Sequence, residues 1–491
     1  MKRFLALALC LCFALGGCGE KQSTGHSEDY PAPTATENFD SFALRLAALP
    51  ELPPEPDENA LWAELDKLDY DRLGEEAYWA AYQALIDDHN AQYHAYQFAV
   101  QTLHGNGVDA ALTPPLTVYT LCTARQMFEN AGDKNVVYSP ANLYLALCML
   151  AETTDGDSRA QLLDLLGLDS VEQARGGANA LWRNLYKDGN TGKTILANSI
   201  WLSEQLDFHM DAVDTLADSY YASTFRAPMG DKATDAAIAQ WIDENTNGLL
   251  SDAAAALQTK PETLLMLIST LYFKGTWSDQ FAPSDTYEDA FTNANGGEQR
   301  VDFMHKQDER REYYRRVAPD YGFTAASLPF RDGTSMWFLL PDEGTTLTDT
   351  IFAELPRFVD TGGLETPDPG FEQGYADIHW SVPKFDVSSD LDLIPTLQAL
   401  GVTDVFDPDA ADFSPLTDLE AVVSAVKHAA RVKVDEDGCE AAAFTSIMVT
   451  PTAMMPEDMP VIEMNLNRPF GFLITGADGL PLFTGVVNTM E

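Results

Sequence analysis

The chain has 491 residues, of which 45% are hydrophobic and 10% aromatic. This composition supplies enough apolar surface for a large packed core and excludes wholesale disorder. The 76 acidic residues outnumber the 30 basic ones, which gives a formal net charge of -46. A surface this acidic repels phosphate backbones, so nucleic acid is excluded as a partner and the charge is interpreted as a solvated outer surface.

The first residues are predicted to be a targeting segment. Lys2 and Arg3 precede the apolar run FLALALCLCFALGG, which is about 14 residues long, whereas a membrane-spanning helix needs about 20. The letters LGGC, ending at Cys18, resemble a bacterial lipobox, which implies loss of residues 1–17 as a signal peptide and diacylglyceryl attachment to Cys18. An ordinary secretory signal is the alternative. We therefore expect a protein on the cell surface or the periplasmic face, anchored only by lipid, or a secreted protein if Cys18 is not lipidated.

Two segments precede the main domain. Residues 18–37 are polar and rich in Pro, Ser and Thr, as in a flexible tether. Residues 38–111 are acidic and repeat apolar residues at three- and four-residue spacing, which predicts amphipathic helices with LPELPPEPDEN as a linker among them. The sequence assigns this extension no chemistry, and the extension either packs on the main domain or acts as a stalk.

From about residue 112 the pattern becomes mixed. Helices are predicted in LTVYTLCTARQMFENAG and SPANLYLALCMLAETTDGDSRAQLLDLLG, and long strands in KTILANSIWLS and ETLLMLISTLYFKGTW. Shorter strands are predicted in TAASLPF, TSMWFLLP and ADIHWSVPKFDV, and NRPFGFLITGADGLPLFTGVVN is a predicted hairpin around Asp-Gly. Helices that come first and strands that follow, with few βαβ alternations, indicate an α+β fold.

Cysteine, histidine and serine spacing indicates no metal, cofactor or catalytic site. Cys122 and Cys148 lie in apolar helical runs and are expected to be free, partly buried thiols, and no cysteine pair has zinc-site or disulfide-framework spacing. The 8 histidines include no HExxH arrangement. No GxSxG elbow surrounds Ser139 or His428, and a Ser before Pro140 is typical of a helix N-cap. We therefore expect no enzyme.

Several motifs, in order over residues 112–491, resemble the serpins. NVVYSPANLYLALCML is similar to the segment entering helix B of that family, ANSIWLS to a strand of its sheet A, and LYFKGTWSDQFAPSDT to its breach region. VPKFDV, LGVTDVFDPDAADFS, NRPFGFLI and PLFTGVV follow in family order, and VKVDEDGCEAAAF resembles the hinge of the reactive loop. The resemblance implies an α+β serpin fold with a large central, mostly antiparallel sheet A, sheets B and C, about eight or nine helices and an exposed reactive loop.

The resemblance also implies a mechanism. A serine protease, with cysteine proteases as a second class, cleaves the loop and is trapped as an acyl-enzyme while the loop inserts as a strand into sheet A. The alternative is a non-inhibitory serpin that acts as a cell-surface binding protein. We expect a monomer without cofactors.

The hinge and the loop after it have the residues that insertion needs. The hinge positions are Glu436, Gly438, Cys439, Glu440, Ala441, Ala442 and Ala443. Strand alternation puts a small or β-branched, uncharged set on the inner face: Cys439, Ala441, Ala443, Thr445, Ile447 and Val449. The predicted outward face receives Glu440, Ala442, Phe444, Ser446, Met448 and Thr450. Gly438 supplies a hinge and Pro451 cannot donate to a central ladder, so insertion should stop near Thr450. Cys439 and Phe444 depart from the family pattern, and both should be tolerated.

The family's count from Glu436 places the reactive bond at Thr452–Ala453. A count back from the C-terminal strand instead gives a position near Asp458, and slipped cleavage has two alternative positions, Met454 and Met455. A small or medium uncharged residue before the bond favours elastase-like or subtilisin-like proteases over trypsin-like ones.

Two further groups follow from the resemblance. The shutter beneath sheet A comprises Ser139, Asn142, Ser269 and His428, with the family's second Ser and its Asn exchanged between two of the sites. Because both residue types donate and accept, we predict a reciprocal exchange that keeps one hydrogen-bond network. The breach at the top of the sheet comprises Trp277 and Lys384, and Lys384 either pairs with Glu436 or remains a solvated surface residue.

Overall fold

The computed structural model describes residues 7–17, 38–105, 107–108, 112–317, 322–345, 347, 370–438 and 459–490. For residues 7–17, 130 and 131 it describes the backbone alone. Some predicted sites lie outside the described residues: Cys18, Cys439, Glu440, Ala441, Ala442, Ala443, Thr452, Ala453, Met454 and Met455.

Seventeen strands are described. In chain order they are β1 (Leu7–Gly17), β2 (Ala43–Arg45), β3 (Val136–Tyr138), β4 (Lys187–Asp188), β5 (Gly192–Ser203), β6 (Ala222–Ala227), β7 (Thr263–Gly275), β8 (Thr286–Thr292), β9 (Glu298–Val317), β10 (Gly322–Pro329), β11 (Ser335–Pro341), β12 (Phe371–Pro383), β13 (Phe385–Asp392), β14 (Ala421–Val434), β15 (Val461–Asn465), β16 (Phe470–Thr475) and β17 (Pro481–Val487).

The described α-helices number eleven. They are α1 (Glu58–Leu65), α2 (Tyr70–Leu73), α3 (Glu75–His104), α4 (Thr113–Ala131), α5 (Pro140–Thr153), α6 (Gly156–Leu166), α7 (Val171–Leu185), α8 (Met210–Tyr220), α9 (Lys232–Asn245), α10 (Ser251–Ala255) and α11 (Ile394–Ala399). The first three belong to the N-terminal extension, so eight of the described helices belong to the main domain.

Two sheets organise the main domain. The first sheet has eight strands. Seven of them lie in the order β13-β14-β1-β7-β5-β6-β2, and β4 pairs with β5. The second has the order β15-β12-β9-β10-β11-β16-β17-β3, with β8 paired to β9. The predicted C-terminal hairpin is confirmed as β16 and β17, paired antiparallel.

Strand β7 is buried on both faces, which explains its nearly continuous apolar sequence. Alternate residues from Leu265 to Phe273 enter the main core beside α5. The residues between them, including Met266 and Ile268, form a second apolar cluster with Ile238 and Trp241 of α9. Helix α9 therefore covers the face of this sheet that lies opposite the main core.

Strand β1 was not predicted. The apolar stretch assigned to the targeting segment lies between β7 and β14 and runs antiparallel to both, with Leu7 opposite Phe273 and Ala8 opposite Arg431. An apolar run of this length suits the centre of a sheet as well as a signal peptide, because both require low polarity. Removal of residues 1–17 in the mature chain stays a prediction, and such removal would vacate this strand position.

The N-terminal extension packs on the main domain. Strand β2 pairs with β6 at the edge of the first sheet. Arg183 of α7 donates to the carbonyl of Leu103 at the end of α3, at 2.7 Å. Glu55 accepts from the backbone N–H groups of Asn190 (2.6 Å) and Thr191 (2.9 Å). The predicted linker around Glu55 is an irregular connection between β2 and α1, and it also packs on the main domain, because Glu55 is 8% exposed and fixes the turn between β4 and β5.

Two smaller points complete the fold. Cys148 is buried as expected, but Cys122 is exposed, because it lies on the outer face of α4, and the expectation of a partly buried thiol was wrong there. Among the residues that the structure describes, no helix has the length and apolar character needed to cross a membrane.

Candidate functional site

The hinge begins with a tight turn at the end of β14. The N–H of Gly438 donates to the carbonyl of Asp435 (3.2 Å), and Gly438 forms antiparallel bridges with both Asp435 and Thr276. Gly438 has φ +99°, and a Cβ there would lie 2.5 Å from the backbone N of Trp277. Only glycine fits this position without strain, because L side chains rarely adopt that conformation.

Trp277 holds the turn from the β7 side. Its backbone N–H donates to the carbonyl of Asp437 (3.2 Å) and its indole Nε1–H to that of Asp435 (3.0 Å). The indole stacks on Phe330, with ring centroids 4.3 Å apart and planes at 9°. The predicted breach residue therefore contacts the hinge directly.

Lys384 and Glu436 form the ion pair that the sequence left open. The Lys384 Nζ lies 2.9 Å from Oε2 of Glu436. Burial opposes ionisation of this carboxyl, but the hydrogen bond from Lys384 holds the pKa of Glu436 below its usual value. The pair joins the start of β13 to the turn after β14.

The hinge bridges share the register of β1. If the antiparallel pairing were continued from the two bridges of Gly438, Ala441 would fall opposite Phe273 and Ala442 opposite Arg431. Leu7 and Ala8 of β1 hold these same two positions. A strand that continued from Gly438 in this register would occupy the space between β7 and β14 that β1 fills, which we call the insertion slot.

The four predicted shutter residues meet beneath this slot. The N–H of Asn142 donates to the Ser139 Oγ (3.1 Å), and its side-chain Nδ2 donates to the carbonyl of Ser269 (3.1 Å). The Ser269 hydroxyl donates to the Oδ1 of Asn142. The backbone N–H of Ser139 donates to Nε2 of His428 (3.3 Å). The exchanged Ser and Asn thus lie in one network, as the sequence predicted.

His428 is fully buried, and burial lowers its pKa to about 3. The ring is therefore neutral at pH 7. Because Nε2 accepts the bond from Ser139, the ring proton lies on Nδ1, which has no hydrogen-bond partner among the described residues. A buried donor without an acceptor destabilises this state of the molecule.

The same contacts exclude a Ser–His catalytic pair. The Ser139 hydroxyl caps helix α5, as the sequence indicated, and His428 contacts the backbone of Ser139 rather than its hydroxyl. Within the described ranges, no group of three or more His, Cys, Asp or Glu side chains is placed to hold a metal ion.

Sequence reasoning missed two contributors to the hinge. Thr276 forms a bridge with Gly438, and Phe330 stacks on Trp277. Thr276 precedes Trp277 inside the breach motif, so the sequence offered a reason to expect Thr276 near the hinge. Phe330 directly follows β10, more than 50 residues along the chain from Trp277, and nothing in its local sequence indicated this contact.

Comparisons with known proteins match this region of the chain. A family model described as Serpin (serine protease inhibitor) matches residues 116–490. The chain is 29% identical to Serpin-ZX of Arabidopsis thaliana over 371 residues, covering 72% of this chain and 92% of that protein. It is 26% identical to leukocyte elastase inhibitor A of Rattus norvegicus over 370 residues, covering 73% and 93%. A solved structure of the thermophilic serpin tengpin in its native state shares 28% identity and a TM-score of 0.61, covering 76% of this chain and 94% of tengpin.

Proposed function

Because this chain belongs to the serpin family, we propose that it is a suicide inhibitor of serine proteases that traps the acyl-enzyme by inserting its cleaved loop into sheet A. Its fold is the α+β serpin fold with sheets A, B and C: the eight-stranded sheet is sheet A, and sheets B and C are joined in the nine-stranded sheet. Serpins are commonly protease inhibitors rather than enzymes. Two parts of this function are proposed for this chain: insertion of its cleaved loop, and the class of protease that it inhibits.

The register of the hinge is the observation on which the proposal rests. Gly438 already bridges both walls of the insertion slot, and strand β1 demonstrates that these walls accept a strand antiparallel to both. A loop freed at its far end can continue from Gly438 without any change of pairing. Successive residues added would complete ladder bonds to β7 and to β14 in alternation, which favours insertion once cleavage releases the loop.

The inner face of the inserted loop matches the core. Residues paired directly across neighbouring strands share a face of the sheet. The continued register sets Ala443 opposite Leu271 and Ala430, which are both fully buried in the main core. The small inner residues therefore enter a packed environment with little volume to accommodate, which supports the predicted alternation.

The second face differs from the sequence expectation of an outward face. Phe444 would lie opposite Thr270 and Ala429, beside the cluster beneath α9. Its ring would therefore be covered by that helix rather than by solvent. A large apolar side chain suits this position, which accounts for the departure from a small residue.

Elastase-like or subtilisin-like proteases are the proposed targets. The bond at Thr452–Ala453 follows Pro451, where ladder pairing must end, and its flanking residues are small and uncharged. The matched rat relative is named a leukocyte elastase inhibitor, which supports this class. Met454 and Met455 are the proposed slipped positions.

We further propose lipid anchorage through Cys18 on a bacterial surface. The supporting observation is the sequence around Cys18, with its basic start, short apolar run and polar tether. Mass spectrometry of the mature N-terminus should find a diacylated Cys18. A mature chain that begins elsewhere would contradict the anchor.

The test of inhibition uses two adjacent substitutions. The chain from residue 19 is incubated with pancreatic elastase and with subtilisin, and a denaturing gel should show a covalent band near the summed masses. Ala443→Glu puts a charge on the inner face and should give cleavage without the band, because a buried unpaired carboxylate costs several kcal/mol. Ala442→Glu is the matched control, since it faces Arg431 and should retain the band. Cleavage of the parent without any covalent band would reject the inhibitory function and favour the binding-protein alternative.

A further inference from the structure

The N-terminal extension and the main domain enclose a second candidate site, separate from the insertion slot. A cleft of about 930 Å³ lies between α1, α3 and the main domain, a volume typical of small-molecule sites. Its lining includes Trp62 on α1, Tyr93 and Tyr96 on α3, and Lys274 and Asp332 of the main domain. We call this space the extension cleft.

Helix α3 presents a face to this cleft that nothing else fully covers. The lining residues of α3 recur at helical spacing, from Ile86 through Tyr93 and Val100 to His104. Within this 30-residue helix only Tyr96 and Leu103 are buried. An amphipathic helix ordinarily buries such a face, so the open cleft is a feature that requires an explanation.

Three buried polar atoms of side chains that line the cleft have no hydrogen-bond partner among the described residues: the Tyr96 hydroxyl, Oδ2 of Asp332 and Nε2 of His104. Tyr96 is 4% exposed, and the Asp332 side chain is 0% exposed. The Nζ of Lys187 lies 4.0 Å from that Oδ2 and donates instead to the Asp332 backbone carbonyl, at 3.1 Å. Buried polar groups ordinarily find partners, so side-chain rotations that turn these atoms toward the cleft would let a polar occupant satisfy them.

The chemistry of these atoms favours hydroxyl groups. Burial raises the pKa of Tyr96, so the phenol stays protonated and can both donate and accept. Burial lowers the pKa of His104, so its ring is neutral at pH 7. The free Oδ2 of Asp332 only accepts. A ligand hydroxyl both donates and accepts, and therefore satisfies all three atoms.

The charges around the cleft favour a neutral ligand. Its described lining includes three permanent cations, Lys187, Lys274 and Arg331, and four acids, Glu55, Asp57, Glu58 and Asp332. An anion would meet the acids and a cation would meet the bases. A charged ligand of either sign would be attracted by some lining side chains and repelled by others, whereas an uncharged ligand avoids this repulsion.

Two exposed aromatic side chains line the cleft, and two glycines outside the lining lie close to its buried polar atoms. Trp62 and Tyr93 line the cleft with 41% and 40% of their surfaces exposed, which offers flat apolar faces to a ring. A Cβ at Gly189 would lie 2.9 Å from the Tyr96 hydroxyl, and one at Gly192 would lie 2.3 Å from Oδ2 of Asp332. Glycine at both positions lets the backbone approach these polar atoms closely.

From these observations we propose that the extension cleft binds a neutral saccharide, with sugar hydroxyls on Tyr96, Asp332 and His104 and a sugar ring against Trp62 or Tyr93. The proposal does not depend on protease inhibition. It gives the extension a recognition function of its own.

The test compares three 1,4-linked trimers of similar size by isothermal titration calorimetry on the full-length protein. The trimers are cellotriose, which is neutral, a glucosamine trimer, which is cationic, and a galacturonate trimer, which is anionic. Cellotriose should bind saturably and more tightly than either charged trimer. Calorimetry is preferred to a melting curve, because excluded sugars raise melting temperatures without binding.

Paired variants locate the binding. Tyr96→Phe removes one hydroxyl and should weaken cellotriose binding about five- to tenfold, the value of one hydrogen bond. Tyr82→Phe is the matched control, because Tyr82 lies on α3 outside the cleft lining and should leave affinity unchanged. Unchanged melting curves for both variants would verify folding. The proposal is overturned if no trimer binds, if a charged trimer binds best, or if both variants bind like the parent.

Discussion

Thr445 is predicted to complete the hydrogen bonding of His428 when the loop inserts. The register continued from Gly438 sets Thr445 opposite Ser269 on β7 and opposite His428 on β14, on the inner face. The Nδ1–H of His428 has no partner among the described residues. The Thr445 hydroxyl therefore arrives where a buried donor needs an acceptor.

The size of the effect follows from the cost of an unsatisfied buried donor, about 1–3 kcal/mol. Thr445→Val keeps the branched shape of the side chain and removes only the hydroxyl. We expect the free energy of unfolding of the loop-cleaved protein to fall by about 1–3 kcal/mol, with the intact protein unchanged. The substitution should affect only the cleaved protein, because Thr445 is expected to contact His428 only after insertion.

The assay is guanidinium unfolding of intact and subtilisin-cleaved protein, using the chain from residue 19. Thr450→Val is the matched control, because it makes the same chemical change on the opposite face near the end of the inserted strand. Equal effects of the two substitutions on the cleaved form would refute the register, as would an equal loss from the intact form of Thr445→Val.

Three further predictions concern the hinge, the network and pH. Gly438→Ala should destabilise the intact protein by about 1–3 kcal/mol, because the left-handed backbone and the 2.5 Å approach to Trp277 exclude a Cβ; an unchanged denaturation midpoint would contradict this geometry. Asn142→Ser and Ser269→Asn should each cost about 1–3 kcal/mol, while the double substitution should recover part of the loss; neutral single changes with no coupling in the double would reject the shared network. Because burial lowers the pKa of His428 to about 3, the unfolded state binds a proton below its ordinary pKa of 6.5 before the folded state does. The free energy of unfolding should therefore fall as pH decreases from 6.5 toward 3. Denaturation at a series of pH values measures this dependence, and His428→Gln should reduce its slope between pH 6.5 and 5. An unaltered slope in that variant would contradict the assignment.

The sequence predicted the elements whose local pattern matches their environment. Strands β5 and β7 have long apolar runs, and the final hairpin has an Asp-Gly turn, so each could be recognised without its neighbours. The shutter residues were found because their motifs resemble a family, and the structure joins them in the expected network.

Other features depend on partners that are distant in the chain. Strand β9 is rich in charged residues, and its strand conformation follows from pairing with β8, β10 and β12 rather than from its own alternation. Glu55 lies in a proline-rich stretch that resembles a linker, and only the donors at Asn190 and Thr191 explain its burial. The register of Gly438 with both walls of the slot is likewise a tertiary property.

The central claim is that the cleaved loop becomes a strand between β7 and β14. The most direct test is the melting curve of the chain from residue 19 before and after limited cleavage by subtilisin, with mass spectrometry to identify the cut bond. Insertion from Gly438 to Thr450 adds ladder bonds on two sides and buries the inner face, so a large rise in melting temperature is predicted. Cleavage within the loop without a rise in melting temperature would contradict the account.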